Sequence, residues 1–191
     1  YNLYVNDVAV QGNSSLLTSF DADGYTVGTS NSDTNTSARN YVSWNWKGGT
    51  TSGIATNGST TITPSTYSFS QTAGFSIIKY SGNSTGGAKV AHGLGKTPTM
   101  VCVKNLGGTD SWQVFQQYVK ATAPEDWLMQ INTSGAAVNN TMWNDTAPDD
   151  VNITLGTDNG VNGSYDYIAY CFAPIQGQQI FGRYYGNANV D

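Results

Sequence analysis

The chain has 191 residues and a net charge of −5, and only 11% of its side chains are charged, against roughly 25% in typical soluble domains. No cluster of Lys and Arg is present to neutralise a nucleic-acid backbone, and no apolar run reaches the roughly 18 residues of a membrane-spanning helix. We therefore expect neither nucleic-acid binding nor membrane insertion. The polarity comes from Asn, Thr, Ser and Gly, which is typical of proteins outside cells or on particles.

Apolar residues alternate with a period of two along most of the chain, and this alternation predicts short β-strands. Clusters of Asn, Gly, Ser, Asp and Pro separate the strands as turns. The pattern predicts an all-β fold, an antiparallel and jelly-roll-like β-sandwich. In chain order the predicted strands are residues 3–5, 25–28, 41–46, 75–80, 99–104, 112–115, 127–132, 153–156, 165–172 and 180–184.

Internal similarity predicts that the sandwich units form a tandem repeat. Residues 25–29 and 41–46 return as residues 153–157 and 167–172, and Lys79-Tyr80-Ser81-Gly82-Asn83 is echoed by Arg183-Tyr184-Tyr185-Gly186-Asn187. This similarity divides the chain into the closing half of a first unit (1–49), a Gly/Ser/Thr-rich connector (50–73), a complete second unit (74–176), and the start of a third unit or a terminal strand (177–191). Because both ends cut through a repeat, we expect the chain to be an excerpt from a longer polypeptide.

Large apolar residues recur on one face of the two related strands at 41–46 and 167–172. We interpret this face as the one that packs against a second sheet, and the opposite face as free to vary. The residues assigned to the core-facing side are Val42, Trp44, Trp46, Ile168, Tyr170 and Phe172.

Residues that could perform catalysis are few. The single histidine, His92, precedes Gly93 and Gly95, and this spacing favours a tight turn over a general base or metal ligand because glycine readily adopts a positive φ. Glu125 is the only glutamate and has no second carboxylate in a defined relation to it, as sugar hydrolysis would require. We predict no catalytic residue and no cofactor, and expect a protein that is not an enzyme.

Two further groups are candidates for a metal site or a disulfide. Asp21 and Asp23 resemble the start of a calcium loop, but the later ligands are missing, so a polar turn is favoured over a weak Ca²⁺ site. Cys102 and Cys171 lie in different predicted strands. They either form a disulfide or remain buried free thiols, and the second reading is favoured.

Aromatic residues offer a candidate binding surface, because sugar rings stack on Trp and Tyr. Trp143, Tyr184 and Tyr185 are the candidate glycan contacts, although packing is the favoured role of the aromatic residues, above all for Trp112 and Trp127. Nine Asn-x-Ser/Thr sequons would allow heavy glycosylation in a secreted eukaryotic protein. They begin at Asn13, Asn35, Asn57, Asn83, Asn132, Asn139, Asn144, Asn152 and Asn162.

Several motifs resemble a family of phage proteins. They are Gly74-Phe75-Ser76-Ile77-Ile78-Lys79-Tyr80-Ser81-Gly82-Asn83, His92-Gly93-Leu94-Gly95-Lys96-Thr97-Pro98 with the following strand, Trp143-Asn144-Asp145-Thr146-Ala147-Pro148, and residues 167–172. The chain is similar here to repeat domains of virion structural proteins, commonly from marine and cyanobacterial phages. In that family the repeat often follows a concanavalin-like (LamG-type) sandwich, and residues 17–28 with 41–47 are similar to the junction before it.

The resemblance implies a virion structural protein, found in a tail fibre, another tail-associated part or the capsid surface, and it carries no catalytic residues. We expect it to lie in the virion or outside the cell and to assemble with copies of itself, as trimers for instance, and with other virion proteins. Two alternatives stay open. One is a glycan-binding module that recognises a host surface, and the other is a secreted, glycosylated cell-surface or filament protein.

Overall fold

The computed structural model describes residues 1–28 and 33–188, and in this part of the chain the regular structure is almost entirely β. Among the residues described, the single helical element is a 3-10 turn at Pro124–Asp126. The strands are β1 (Leu17–Phe20), β2 (Tyr25–Val27), β3 (Thr66–Ser70), β4 (Phe75–Ser81), β5 (Ala88–Ala91), β6 (Met100–Asn105), β7 (Gln113–Gln116), β8 (Trp127–Gln130), β9 (Val138–Asn139), β10 (Asn152–Leu155) and β11 (Asp166–Phe172).

The strands form an antiparallel β-sandwich, as the sequence predicts. A seven-stranded sheet has the order β3-β4-β11-β6-β7-β8-β9, and the separate pair β5 and β10 packs on one of its faces. At the centre, β4 and β11 pair over seven residues, from Asp166↔Ser81 to Phe172↔Phe75. The hairpin of β1 and β2 is a separate two-stranded sheet.

Both edges of the large sheet are blunted. The outer edge of β3 is bridged by Thr50, whose N–H and carbonyl group exchange hydrogen bonds of 2.9 and 3.0 Å with Phe69. At the opposite edge β9 contains only two residues. Short or covered edge strands limit pairing with other chains.

The sandwich core lies on the opposite face of β11 from the one predicted. Tyr167, Ala169 and Cys171 are fully buried and pack with residues of β4, β5, β6 and β10. Ile168, Tyr170 and Phe172 point away from the core and are half-buried. The assignment of these three residues to the core is therefore wrong.

The predicted strand at residues 41–46 is also wrong, because these residues belong to none of the strands. Val42, Trp44 and Trp46 are 72%, 75% and 50% exposed, so their assignment to the core fails as well. Residues 3–5 and 180–184 likewise form no strand. The alternation in these segments is real, but pairing with a neighbouring strand is what makes an extended segment a strand.

Three strands of the sandwich were missed, β3, β5 and the two-residue β9, as was β1 of the separate hairpin. Thr66–Ser70 (β3) lies in the stretch interpreted as a connector, and its Ser and Thr residues give little apolar alternation. It is a strand because all five residues pair with β4. Ala88–Ala91 (β5) is short and pairs with β10. In the described residues, no helix has the length and apolar character needed to cross a membrane.

Candidate functional site

The face of the large sheet that points away from the sandwich core is itself apolar. Side chains alternate across a strand, so Tyr170 of β11 lies between Ile77 of β4 and Cys102 of β6 on this outer face. Phe172 lies in the same way between Phe75 and Met100. The result is a half-buried hydrophobic surface that no second sheet covers within residues 1–28 and 33–188.

The first twelve residues, which we call the N-terminal arm, lie along one side of this outer face. Asn2 and Gly12 close the arm on itself through backbone hydrogen bonds of 2.9 and 3.0 Å. Leu3 packs against the cluster of Cys102, Trp112 and Val114, and the indole N–H of Trp112 donates to the carbonyl oxygen of Tyr4 at 3.0 Å. The arm therefore covers part of the face with apolar contacts and one partly buried hydrogen bond.

Lys104 ties the N-terminal arm to the sheet. Its side chain is fully buried, and its ammonium group donates to the carbonyl oxygens of Val8, Asn105, Gly108 and Asp110 at 3.0 to 3.2 Å. Burial lowers the pKa of Lys104, while the nearby negative charges of Asp110 and Asp7 oppose that shift. Three hydrogens shared among four carbonyl groups hold the arm and the 105–110 loop together.

On the other side, Trp46 leans over the end of the sheet. Its ring centroid lies 6.0 Å from that of Phe75 and 5.9 Å from that of Phe172. Between Trp46 and the N-terminal arm remains a concave, mainly apolar space of about 980 Å³, which we call the outer groove. It is lined by Leu3, Val5, Trp46, Ile77, Lys79, Met100, Cys102, Trp112, Ile131, Ile168, Tyr170 and Phe172, among others.

The two thiols are buried on opposite faces of the sheet, which confirms their interpretation as buried free cysteines. Cys102 faces the outer groove and Cys171 faces the sandwich core, in strands that pair in the register Cys171↔Val101. Burial raises the pKa of the Cys102 thiol to about 12 and also raises that of Cys171. Thiols with such pKa values contain little nucleophilic thiolate at neutral pH.

We expect neither thiol to react in the native protein. Iodoacetamide at about pH 8 should label Cys102 and Cys171 only after unfolding in urea. In the folded protein the two side chains are buried from solvent and remain protonated thiols. Intact mass spectrometry would count the adducts. A doubly labelled native protein, or a disulfide found without reductant, would contradict this placement.

His92 lies in the predicted tight turn, and Gly93 and Gly95 have the positive φ angles of 77° and 63° expected there. The imidazole is fully buried. Its Nδ1 accepts from the N–H of Leu94 at 3.2 Å, which leaves the hydrogen on Nε2 to donate to the carbonyl oxygen of Asp149 at 3.1 Å. Both nitrogens are thus engaged in holding the turn.

The buried imidazole predicts a pH dependence of stability. Loss of hydration lowers the pKa of His92 below its ordinary value of 6.5, although the backbone and charge of Asp149 and the charge of Asp150 oppose the shift. Between the two pKa values the unfolded chain binds a proton that the folded chain does not. Stability should therefore be lower at about pH 5.5 than at about pH 7.5, because the unfolded histidine gains its proton at a higher pH than the folded one.

Urea-unfolding midpoints at the two pH values would measure this slope. His92→Gln, which retains an amide group for hydrogen bonding and does not titrate, should flatten it. Asp149 does not interfere, because its own pKa is lowered below 3.8. An equal slope in the two proteins would show that another group is responsible.

Asp21 and Asp23 lie in the four-residue loop that joins β1 to β2. Asp21 accepts a hydrogen bond from the hydroxyl of Thr26 at 3.0 Å, and its N–H donates to the carbonyl oxygen of Gly24 at 2.9 Å. Both aspartates are exposed. Among the described residues, no three His, Cys, Asp or Glu side chains cluster as a metal site would require.

The structure separates the aromatic candidates. Trp143 is 2% exposed and packs edge-on against Phe115 at 6.0 Å, so its ring is not available to a sugar, and this assignment is wrong. Trp112 is also buried, and Trp127 is half-buried with Lys120 3.9 Å above its ring. Tyr184 and Tyr185 are 90% and 80% exposed.

Sequence reasoning missed the outer groove, although one signal for it is present. Every residue from Tyr167 to Phe172 is apolar or aromatic, and a strand without polar alternation is typical of a sheet that is covered on both faces. The convergence of the N-terminal arm and Trp46 on that face leaves no such signal, because each joins it from a distant part of the chain.

Comparison with known proteins gives a family without a described activity. No curated protein and no solved structure is significantly similar to this chain. One family profile matches residues 2–191, which is nearly the whole chain. The chain belongs to this family, which is described as a domain of unknown function (DUF7483).

Proposed function

We propose that this domain is a non-catalytic structural unit that works by association with other protein chains. The outer groove carries this proposal. Soluble monomers rarely leave large contiguous apolar surfaces open, and such surfaces usually mark interaction sites. More than half of the large apolar side chains exposed in the described residues also lie in residues 1–46, the part of the chain that includes the N-terminal arm and Trp46 at the groove.

The chemistry of the buried polar groups agrees with this proposal. Cys102, Cys171, His92 and Lys104 are all buried, and burial raises the pKa of both thiols and lowers the pKa of His92 and of Lys104. Each nitrogen of His92 and the ammonium group of Lys104 is already hydrogen-bonded within the fold. These groups hold turns and segments in place and do not converge on one cleft.

The assembly that fits best is a virion, with this chain as a tail-fibre, tail-associated or capsid-decorating protein composed of tandem units. The motif resemblance around residues 74–104 and 143–148 supports this assignment. The low proportion of charged residues, 11%, is a second support, since such a surface stays hydrated through uncharged groups. The domain would then lie on the particle, outside the cell.

Proteomics of purified particles tests this assignment. Particles banded on a density gradient, from the phage that encodes the chain, should contain its peptides at a copy number comparable to other tail or capsid proteins. The soluble fraction of the same lysate is the matched control. Peptides that occur in the soluble fraction and not in the particles would overturn the virion assignment.

A glycan-binding function is the second candidate, and the exposed chain end favours it. Tyr184 and Tyr185 present open rings, and the Arg183 guanidinium lies 4.9 Å from the centroid of the Tyr185 ring. Aromatic faces beside a cation suit an acidic sugar. Binding on a glycan array that is lost in Tyr184→Ala/Tyr185→Ala would support this function, and an array without signal would exclude it.

The third candidate, a secreted glycoprotein, makes a selective prediction about the sequons. Asn152 and Asn162 are fully buried, and the Asn162 amide donates to the carbonyl oxygens of Thr85 and Gly156, both at 2.9 Å. Expression in a secreting eukaryotic cell should therefore leave these two sequons empty after folding, whereas exposed ones such as Asn57 can be occupied. Glycopeptide mapping measures this, and a glycan on Asn162 of folded protein would contradict the structure.

A further inference from the structure

We propose that the outer groove receives a second copy of this chain, and that the donated group is Trp44 with its neighbour Val42. This inference rests on the proposed function, for which it names the partner and the surface. The segment concerned is residues 42–46, which we call the aromatic strip. It has the alternation of a strand, yet it belongs to none of the strand pairs in the described residues.

The side chains of the aromatic strip are divided between two faces. The Asn45 amide donates to the hydroxyl of Ser43 at 3.1 Å, which places these two polar side chains together on one face. In an extended segment, Val42, Trp44 and Trp46 then share the other face. The strip is thus amphipathic, with its apolar face largely in solvent.

The same chain shows how the groove accepts a side chain of this strip. Trp46 stacks on Phe75 and packs edge-on against Phe172 at the end of its own groove. Trp44 lies two residues earlier on the same face but is 75% exposed. Beyond Trp46, the groove remains open over Tyr170. A second copy can therefore place an indole against an aromatic floor of the same chemistry.

Charge does not oppose this contact. The aromatic strip contains no ionisable side chain. Among the described residues that line the groove, Lys79 has the only charged side chain, and its ammonium group is paired with Asp166 at 2.8 Å. Two copies, each with a net charge of −5, can thus meet here without burying an unpaired charge.

The available area also suits a stable contact between copies. The strip, the groove floor and the apolar side chains of the N-terminal arm together expose on the order of 800 Å² per copy, when a large aromatic side chain is taken as 150–250 Å². A standard interface buries about 800 Å² on each partner. Each copy carries both an aromatic strip and an outer groove. In a two-fold symmetric dimer, the strip of each copy can therefore pack into the groove of the other.

Sedimentation velocity of the whole protein at about 1 to 100 µM tests the inference. The wild type should sediment as a dimer or larger species at the upper end, and Trp44→Asp should remain monomeric, with association weakened at least about 100-fold. Val42→Asp, on the same face, should act in the same direction. Ile131→Asp, at the rim of the groove, should do so from the receiving side.

Ser43→Asp is the matched control, because it introduces the same charge into the strip on its opposite face, and it should associate like the wild type. Unchanged near-UV circular dichroism would confirm that each variant is folded. Variants on both sides that associate like the wild type would overturn the inference while leaving the proposed function intact, since another surface would mediate assembly. A monomeric wild type would overturn it and leave a different virion protein as the occupant of the groove.

Discussion

Replacing Lys104 with Met should lower the free energy of unfolding by about 3 kcal/mol. Methionine keeps the length and the apolar contacts of the lysine stem but removes the donors. The carbonyl groups of Val8, Asn105, Gly108 and Asp110 then lose their shared partner. A buried acceptor left without a donor costs about 1–3 kcal/mol, and those nearest the surface can recover water. Urea unfolding at neutral pH would measure the change.

Lys96→Met is the matched control, because Lys96 is exposed in the turn before β6 and its replacement should change stability by less than about 0.5 kcal/mol. Hydrogen exchange adds a local readout. In Lys104→Met, the amides of Asn2 and Gly12 in the N-terminal arm should exchange faster than in the wild type, and by a larger factor than the amides of β11. Equal stability and equal exchange in the variant would mean that the four carbonyl groups do not depend on the ammonium group.

Trp143→Ala should destabilise the sandwich by about 3–5 kcal/mol, which is the range for truncating a buried Trp. The indole is 2% exposed in the core, where it packs against Phe115. Its Nε1 makes no hydrogen bond within the described residues, so the loss is one of packing and not of a polar contact. Chemical unfolding at about 1 µM protein, where copies are dissociated, would measure it.

Trp44→Ala provides the comparison, since it makes the same substitution at a side chain that is 75% exposed. Its effect on the stability of the monomer should stay below about 0.5 kcal/mol. The pair of variants therefore separates a tryptophan that holds the fold together from one that is free to contact another molecule. Similar losses in both variants would contradict the burial of Trp143 or the exposure of Trp44.

The central strands could be predicted from the sequence because their residues decide their structure locally. Residues 75–80 and 165–172 are rich in aromatic and β-branched residues, which favour extended backbone, and they became β4 and β11. The turn at His92 was predictable for a similar reason, because Gly93 and Gly95 supply the positive φ angles that it needs. Local preference and tertiary structure agree at these positions.

The faces of the strands could not be predicted, because β11 is apolar on both of them. A period-two pattern says which side chains share a face but not which face meets the second sheet. Size misled the prediction, since the side carrying Ile168, Tyr170 and Phe172 carries the bulk of the apolar volume. The sandwich core instead received Tyr167, Ala169 and Cys171, which belong to the same buried cluster as Trp143 and Leu155.

The burial of Lys104, beside the candidate site, and of Trp143, in the core, could not be predicted for a different reason. A lysine in a strand is normally expected to be exposed. The neighbouring sequence does not indicate that carbonyl groups as far apart as Val8 and Asp110 converge on Lys104. Trp143 stands among Asn, Asp and Thr, which favour a surface turn, yet it fills the core. Both are set by contacts between distant segments, which one sequence does not encode in any local pattern.

The short and covered edge strands of the large sheet affect whether this domain aggregates at high concentration. Thr50 bridges β3 and β9 contains only two residues. Within the described residues, the large sheet therefore has no long, unpaired edge strand with which the sheet of another molecule could pair. Growth of cross-β fibrils from these edges is therefore disfavoured, even at a high local concentration of the protein. Any contact between copies would then be made through side chains, and single substitutions could tune it.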